Sequence, residues 1–177
     1  MIRKLALLAA GAFAAAVSPA LVHAQTSVTT TVSISVPEVL RLDITGSADF
    51  TLDPAAFDGG ATSVVVDAST QPTVDVTANR NWQLSVQADA ADWSYAGAHA
   101  AQSPTKSAGD LELGLTGGSW TIGYTPAAKL ALGTTSTSVA TGGRGRTSGA
   151  LAYSLTHALA DWPGDYTLSV TYTLAGN

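Results

Sequence analysis

Residues 166–174 read YTLSVTYTL, placing Tyr166, Leu168, Val170, Tyr172 and Leu174 on one face of an extended chain and Thr167, Ser169, Thr171 and Thr173 on the other. Successive side chains of a strand point to opposite faces of its sheet, so this pattern predicts a strand with one apolar face turned inward. The same alternation recurs upstream. Val28, Val32, Ile34 and Val36 alternate with Thr29, Thr31, Ser33 and Ser35 as far as Pro37, which has no N–H to give a ladder, and residues 39–44 resume it. Asp53-Pro54 and Asp58-Gly59-Gly60 mark turns ahead of Val64, Val65 and Val66. Val74, Val76 and Ala78 lead through Asn79-Arg80-Asn81 to Trp82, Leu84, Val86 and Ala88, which predicts a hairpin. Leu111, Leu113 and Leu115 lead through Gly117-Gly118 to Trp120, Ile122 and Tyr124, which predicts another. Leu130 with Leu132, and Leu151 with Tyr153 and Leu155, supply short strands, and residues 161–165 turn the chain into the last one. About nine strands are expected, with no helical period beyond the N-terminus. An antiparallel sheet standing alone would leave its apolar face in water, so the expected fold is all-β, an antiparallel two-sheet β-sandwich of Ig-like type, with a closed barrel as second choice. An outer-membrane barrel would repeat strands of about ten residues with aromatic girdles, and this chain does not.

At the N-terminus, Arg3 and Lys4 precede an apolar run over residues 5–17, and Val22-His23-Ala24 offers small residues for cleavage before Gln25. Residues 1–24 are therefore expected to be a signal peptide, with one domain over residues 25–177. Spanning a bilayer takes about 20 apolar residues, and Ser18, Pro19 and His23 interrupt this run too early. The expected location is exported, whether periplasmic, cell-surface or extracellular, and the mature chain is not expected to span a membrane. The chain has no cysteine, so it has neither disulfide nor thiolate metal site and must fold by its core. A domain of this size buries roughly 70% of its unfolded-chain surface, which is enough.

The formal charge is −5 and becomes more negative once Arg3 and Lys4 are removed. Nucleic acids and anionic membranes favour basic patches, so neither is an expected partner. After cleavage His99 and His157 are the remaining histidines, without paired metal-ligand spacing. No G-x-S-x-G elbow is present. Asp53, Asp58, Asp89, Asp92, Asp161 and Asp165 sit at predicted turns, where carboxylates bond the backbone. Neither enzymatic activity nor a cofactor is expected.

Residues 96–110 and 133–149 read as long loops, and loops beyond about 12–15 residues are uncommon unless functional or mobile. The second contains Arg144 and Arg146 in a glycine-rich run that is read as lacking the lysine, the preceding buried strand and the following helix of a phosphate loop; the two arginines are candidates for contact with a partner. Trp82, Trp120 and Tyr124 are in phase with apolar faces and belong to the core. Trp93, Tyr95 and Trp162 lie near turns, where they are candidates for stacking on a ligand such as a sugar. Val28, Val32, Ile34 and Val36, set off by Pro37, form a candidate inter-subunit strand.

Trp82-Gln83-Leu84-Ser85-Val86-Gln87-Ala88 resembles the W-x-L-x-V-x-A strand of bacterial WxL-type cell-surface domains, and residues 164–174 resemble their closing strand, with Tyr172 where that family has a second tryptophan. The closing pattern and the opening alternation are also similar to spore-coat-U-like and related pilus subunits, although those usually contain cysteines. These resemblances imply a pilin-like, envelope-associated, non-enzymatic protein. Its expected partners are cell-wall polymer or polysaccharide, or other surface-protein subunits, including copies of itself as a homo-oligomer. The alternative is a secreted carbohydrate-binding module.

Overall fold

The computed structural model describes residues 29–177; the expected signal peptide and Val28 lie outside the described residues. Residues 36–177 form one compact unit; residues 29–35 are not part of it and contain no strand. The compact unit contains β1 (Leu40–Thr45), β2 (Ser63–Asp67), β3 (Thr73–Ala78), β4 (Trp82–Ala88), β5 (Ser94–Ala96), β6 (Leu111–Gly117), β7 (Trp120–Ile122), β8 (Leu130–Ala131), β9 (Thr137–Gly142), β10 (Gly145–Ala158), β11 (Asp165–Thr167) and β12 (Val170–Gly176). One sheet runs β1-β3-β10-β6-β8 with β2 also paired to β10, another runs β12-β4-β9-β7, and β5 pairs with β11 in a short ribbon. All pairings are antiparallel. The fold is the expected all-β sandwich, with twelve strands where about nine were anticipated.

The core lies between the two large sheets. Val74 and Val76 of β3, Leu113 and Leu115 of β6, and Leu151 and Leu155 of β10 meet Trp82, Leu84 and Val86 of β4 and Val139 of β9. Burial alternates residue by residue along β3 and β4, as the period-two reading requires. Fully burying a side chain such as Leu84 contributes about 1.5–3 kcal/mol. Room for the largest ring comes from glycine: a Cβ at Gly142 would run into the Trp82 indole, which meets Trp120 edge-on with centroids 5.7 Å apart.

Neither predicted hairpin is one. β3 pairs with β1 and β10, whereas β4, after Asn79-Arg80-Asn81, pairs with β12 and β9 in the other sheet. β6 and β7 likewise lie in different sheets. In a hairpin both apolar faces would look the same way. An arch turns the two faces toward each other, so each strand buries its apolar side against the other.

Three further expectations are corrected. The long loop predicted over residues 133–149 is largely strand, comprising β9 and the start of β10, so a strand does precede the glycine-rich run at Arg144, and a strand rather than a helix follows it. The closing run of residues 166–174 is broken: residues 165–167 pair with β5, and residues 170–176 pair with β4. The break falls at Leu168 and Ser169, where the Ser169 carbonyl accepts the Asp89 N–H at 3.0 Å. The strand expected over residues 28–36 does not form in its described part, since residues 29–39 contain no strand and the ladder starts at Leu40.

Candidate functional site

Two features stand apart from the packed core: an aromatic-rimmed cleft at one end of the sandwich and the exposed apolar residues before β1.

The cleft has a volume of about 1080 Å³. Its apolar wall comes from Phe50, Leu52 and Phe57 between β1 and β2, Leu155 on β10, and Leu168 and Val170 at the break between β11 and β12. A 3-10 turn over Pro54–Phe57 sets the loop's shape, and its N-cap Asp53 accepts the Ala55 N–H at 2.9 Å. Inward-facing Tyr153 and His157 of β10 also line the cleft, and the Tyr153 hydroxyl is hydrogen-bonded to that of Tyr172 on β12. Burial raises the pKa of both phenols, keeping them neutral.

Lys106 closes one corner of the cleft and is only 4% exposed. Its ammonium donates to Asp161 Oδ2 at 2.8 Å, to the Thr156 carbonyl at 2.7 Å and to Asp110 Oδ2 at 3.3 Å. Those three bonds use all three ammonium protons. Asp161 Oδ2 also accepts the Ala158 N–H at 3.0 Å. The lysine thereby ties the loop after β5 to β10 and to the turn before β11. His157 lies beside this network, and its imidazole has no hydrogen-bond partner among the described residues. Burial first, and the Lys106 ammonium second, lower its pKa below 6.5.

The three candidate aromatics converge on this end of the fold. Trp93 and Trp162 both line the cleft, and Tyr95 packs edge-on against cleft-lining Tyr166 at a centroid distance of 5.0 Å. Each ring already has a partner. Trp93 packs against the core and donates Nε1–H to the Ser107 carbonyl at 3.0 Å, while the Tyr95 hydroxyl donates to the Pro163 carbonyl at 2.7 Å. Trp162, 41% exposed, stacks on His99 at 4.5 Å. Arg144 lies in the connection between β9 and β10, and Arg146 lies in β10; both are exposed and neither is in an ion pair among the described residues. Lys106, Asp110 and Asp161 were not recognisable as a group in the sequence. The i, i+4 spacing of Lys106 and Asp110 was their one signal, and nothing local connects either to Asp161.

The second feature is the segment before β1. Val32, Ile34 and Val36 are 81%, 83% and 75% exposed. Just beyond them the chain is held by Asn79: its Nδ2 donates to the Pro37 carbonyl at 2.7 Å and its Oδ1 accepts the Val39 N–H at 2.9 Å. Arg80 adds an ion pair to Glu38 at 3.0 Å. Several strands offer an unpaired edge among the described residues, including β1 and β12, each of which pairs on one side only.

Among the described residues no group of three His, Cys, Asp or Glu side chains is placed to hold a metal ion, and no helix is long and apolar enough to cross a membrane. The chain matches no family model and no curated protein.

Proposed function

We propose that this is an exported, non-enzymatic structural or adhesive protein of the cell envelope that joins copies of itself by adding residues 27–36 as a strand to an open sheet edge of a neighbour. One observation carries the reading: Val32, Ile34 and Val36 keep the period-two pattern of a strand yet are exposed, in residues that belong to no sheet. Exposed alternating segments gain backbone hydrogen bonds when they meet a sheet edge. Magnitudes favour an edge over a flat apolar surface. Burying three β-branched side chains yields about 5–9 kcal/mol. Ordering about ten residues costs at least about 10 kcal/mol, so ladder hydrogen bonds must supply the difference. The N-terminal export pattern and the resemblance to WxL-type and spore-coat-U-like proteins support the location.

Deleting residues 25–36 from the mature chain tests the proposal. The expected product has an unchanged β-type circular dichroism spectrum and elutes as a monomer where the intact chain forms larger species. Loss of folding would assign the segment to its own domain, and persistence of the assembly would exclude it as the joint.

The alternative, a carbohydrate-binding module, is favoured by the convergence of Trp93, Tyr95 and Trp162 at one end of the fold. It requires open ring faces, whereas one face of Trp162 is taken by His99. Retention on insoluble polysaccharide that is lost in Trp162→Ala would establish it in place of self-assembly.

A further inference from the structure

We propose that the cleft at the end of the sandwich binds a small, mainly apolar molecule carrying one uncharged hydrogen-bonding group, which His157 engages. The inference does not depend on the self-assembly reading. The cleft volume of about 1080 Å³ is ample for such a molecule, given that ligand sites typically measure about 300–1,000 Å³.

The polar groups of the cleft define the ligand by what they have left to offer. Lys106 has spent its three protons, and Asp161 Oδ2 already accepts two hydrogen bonds. Asp49 Oδ2 accepts from Thr70 at 2.7 Å and from Ser47 at 3.2 Å, and the Tyr153 hydroxyl is paired with Tyr172. Trp162, Asp165 and Thr167 also line the cleft but are exposed, which leaves the imidazole of His157 as the half-buried polar side chain of the lining with no hydrogen-bond partner among the described residues. Its neutral ring has one donor and one acceptor. An anionic head would find the nearby ammonium saturated by two carboxylates and a carbonyl. A sugar would bury many hydroxyls against Phe50, Leu52 and Phe57 without partners, a cost no single histidine offsets. An apolar body with one hydroxyl, amide or arylamine N–H matches both the wall and the half-buried imidazole.

The test is a titration of the full mature chain with N-phenylnaphthylamine, an uncharged apolar probe with a single N–H, read by probe fluorescence and tryptophan quenching. Saturable one-to-one binding is expected. His157→Leu should weaken it about three- to tenfold, the range for one hydrogen bond. Leu155→Trp, or Leu168→Trp should the first variant misfold, places an indole on the apolar wall and should weaken binding more than His157→Leu does while the circular dichroism spectrum is retained. Non-saturable binding, or saturable binding of unchanged affinity in both tryptophan variants, overturns the proposal. Displacement of the probe by a peptide of residues 27–36 overturns it too, by assigning the cleft to a neighbour's strand. Binding that persists in a chain lacking residues 25–36 upholds the proposal whatever the fate of self-assembly.

Discussion

Replacing Lys106 by methionine keeps most of the aliphatic stem and deletes one buried charge. Lys106 is 4% exposed, and its ammonium holds three acceptors from three parts of the chain. Removing one partner of a buried ion pair costs about 3–5 kcal/mol, mainly because the opposite charge is stranded. Here the low end applies, because Asp110 can turn toward water and Asp161 keeps the Ala158 N–H. A loss of about 3 kcal/mol lowers the melting temperature of a domain of this size by about 6–12 °C. Thermal unfolding of Lys106→Met followed by circular dichroism at neutral pH measures it. Adding Asp161→Asn should restore part of the loss, since the stranded carboxylate is then neutral. A shift under about 2 °C, or a double variant worse than the single, would show that the lysine is not the tie between these loops.

Leu84→Ala, at the centre of β4, opens a cavity between the sheets and should cost about 2–5 kcal/mol in denaturant unfolding with little change in the native spectrum. His157 gives stability a pH dependence of defined sign. Its folded pKa lies below 6.5, so between those values the unfolded chain binds more protons. Its contribution is therefore complete above about pH 6.5 and is lost as the pH falls toward the folded value. Melting curves on the acid side of neutrality should show that decline flattened in His157→Phe, and an identical decline in both proteins would refute it. Arg144→Ala together with Arg146→Ala should leave stability within about 0.5 kcal/mol, because neither side chain is buried or paired.

The sequence made faces legible and neighbours illegible. Trp82, Leu84, Val86 and Ala88 are buried as their alternation requires, but alternation cannot distinguish a hairpin from an arch, and β3 and β4 separate into different sheets. β9 escaped notice because its sequence, TSVATG, buries only Val139 and Ala140. It is a strand because β4 and β7 pair with its two edges. The aromatic end of the fold was partly visible in Trp93, Tyr95 and Trp162. The Lys106 network was not, since Asp161 joins it from 55 residues away. Residues 28–36 show the opposite limit: their pattern encodes the capacity to pair, and the described part has no ladder in which to use it.

Hydrogen–deuterium exchange at the backbone amides of residues 29–36 tests the central claim most directly, compared between dilute and concentrated mature protein. The account predicts fast exchange in the dilute monomer and strong protection once larger species form. Protection already present in the monomer, or fast exchange persisting within the assembly, would contradict it.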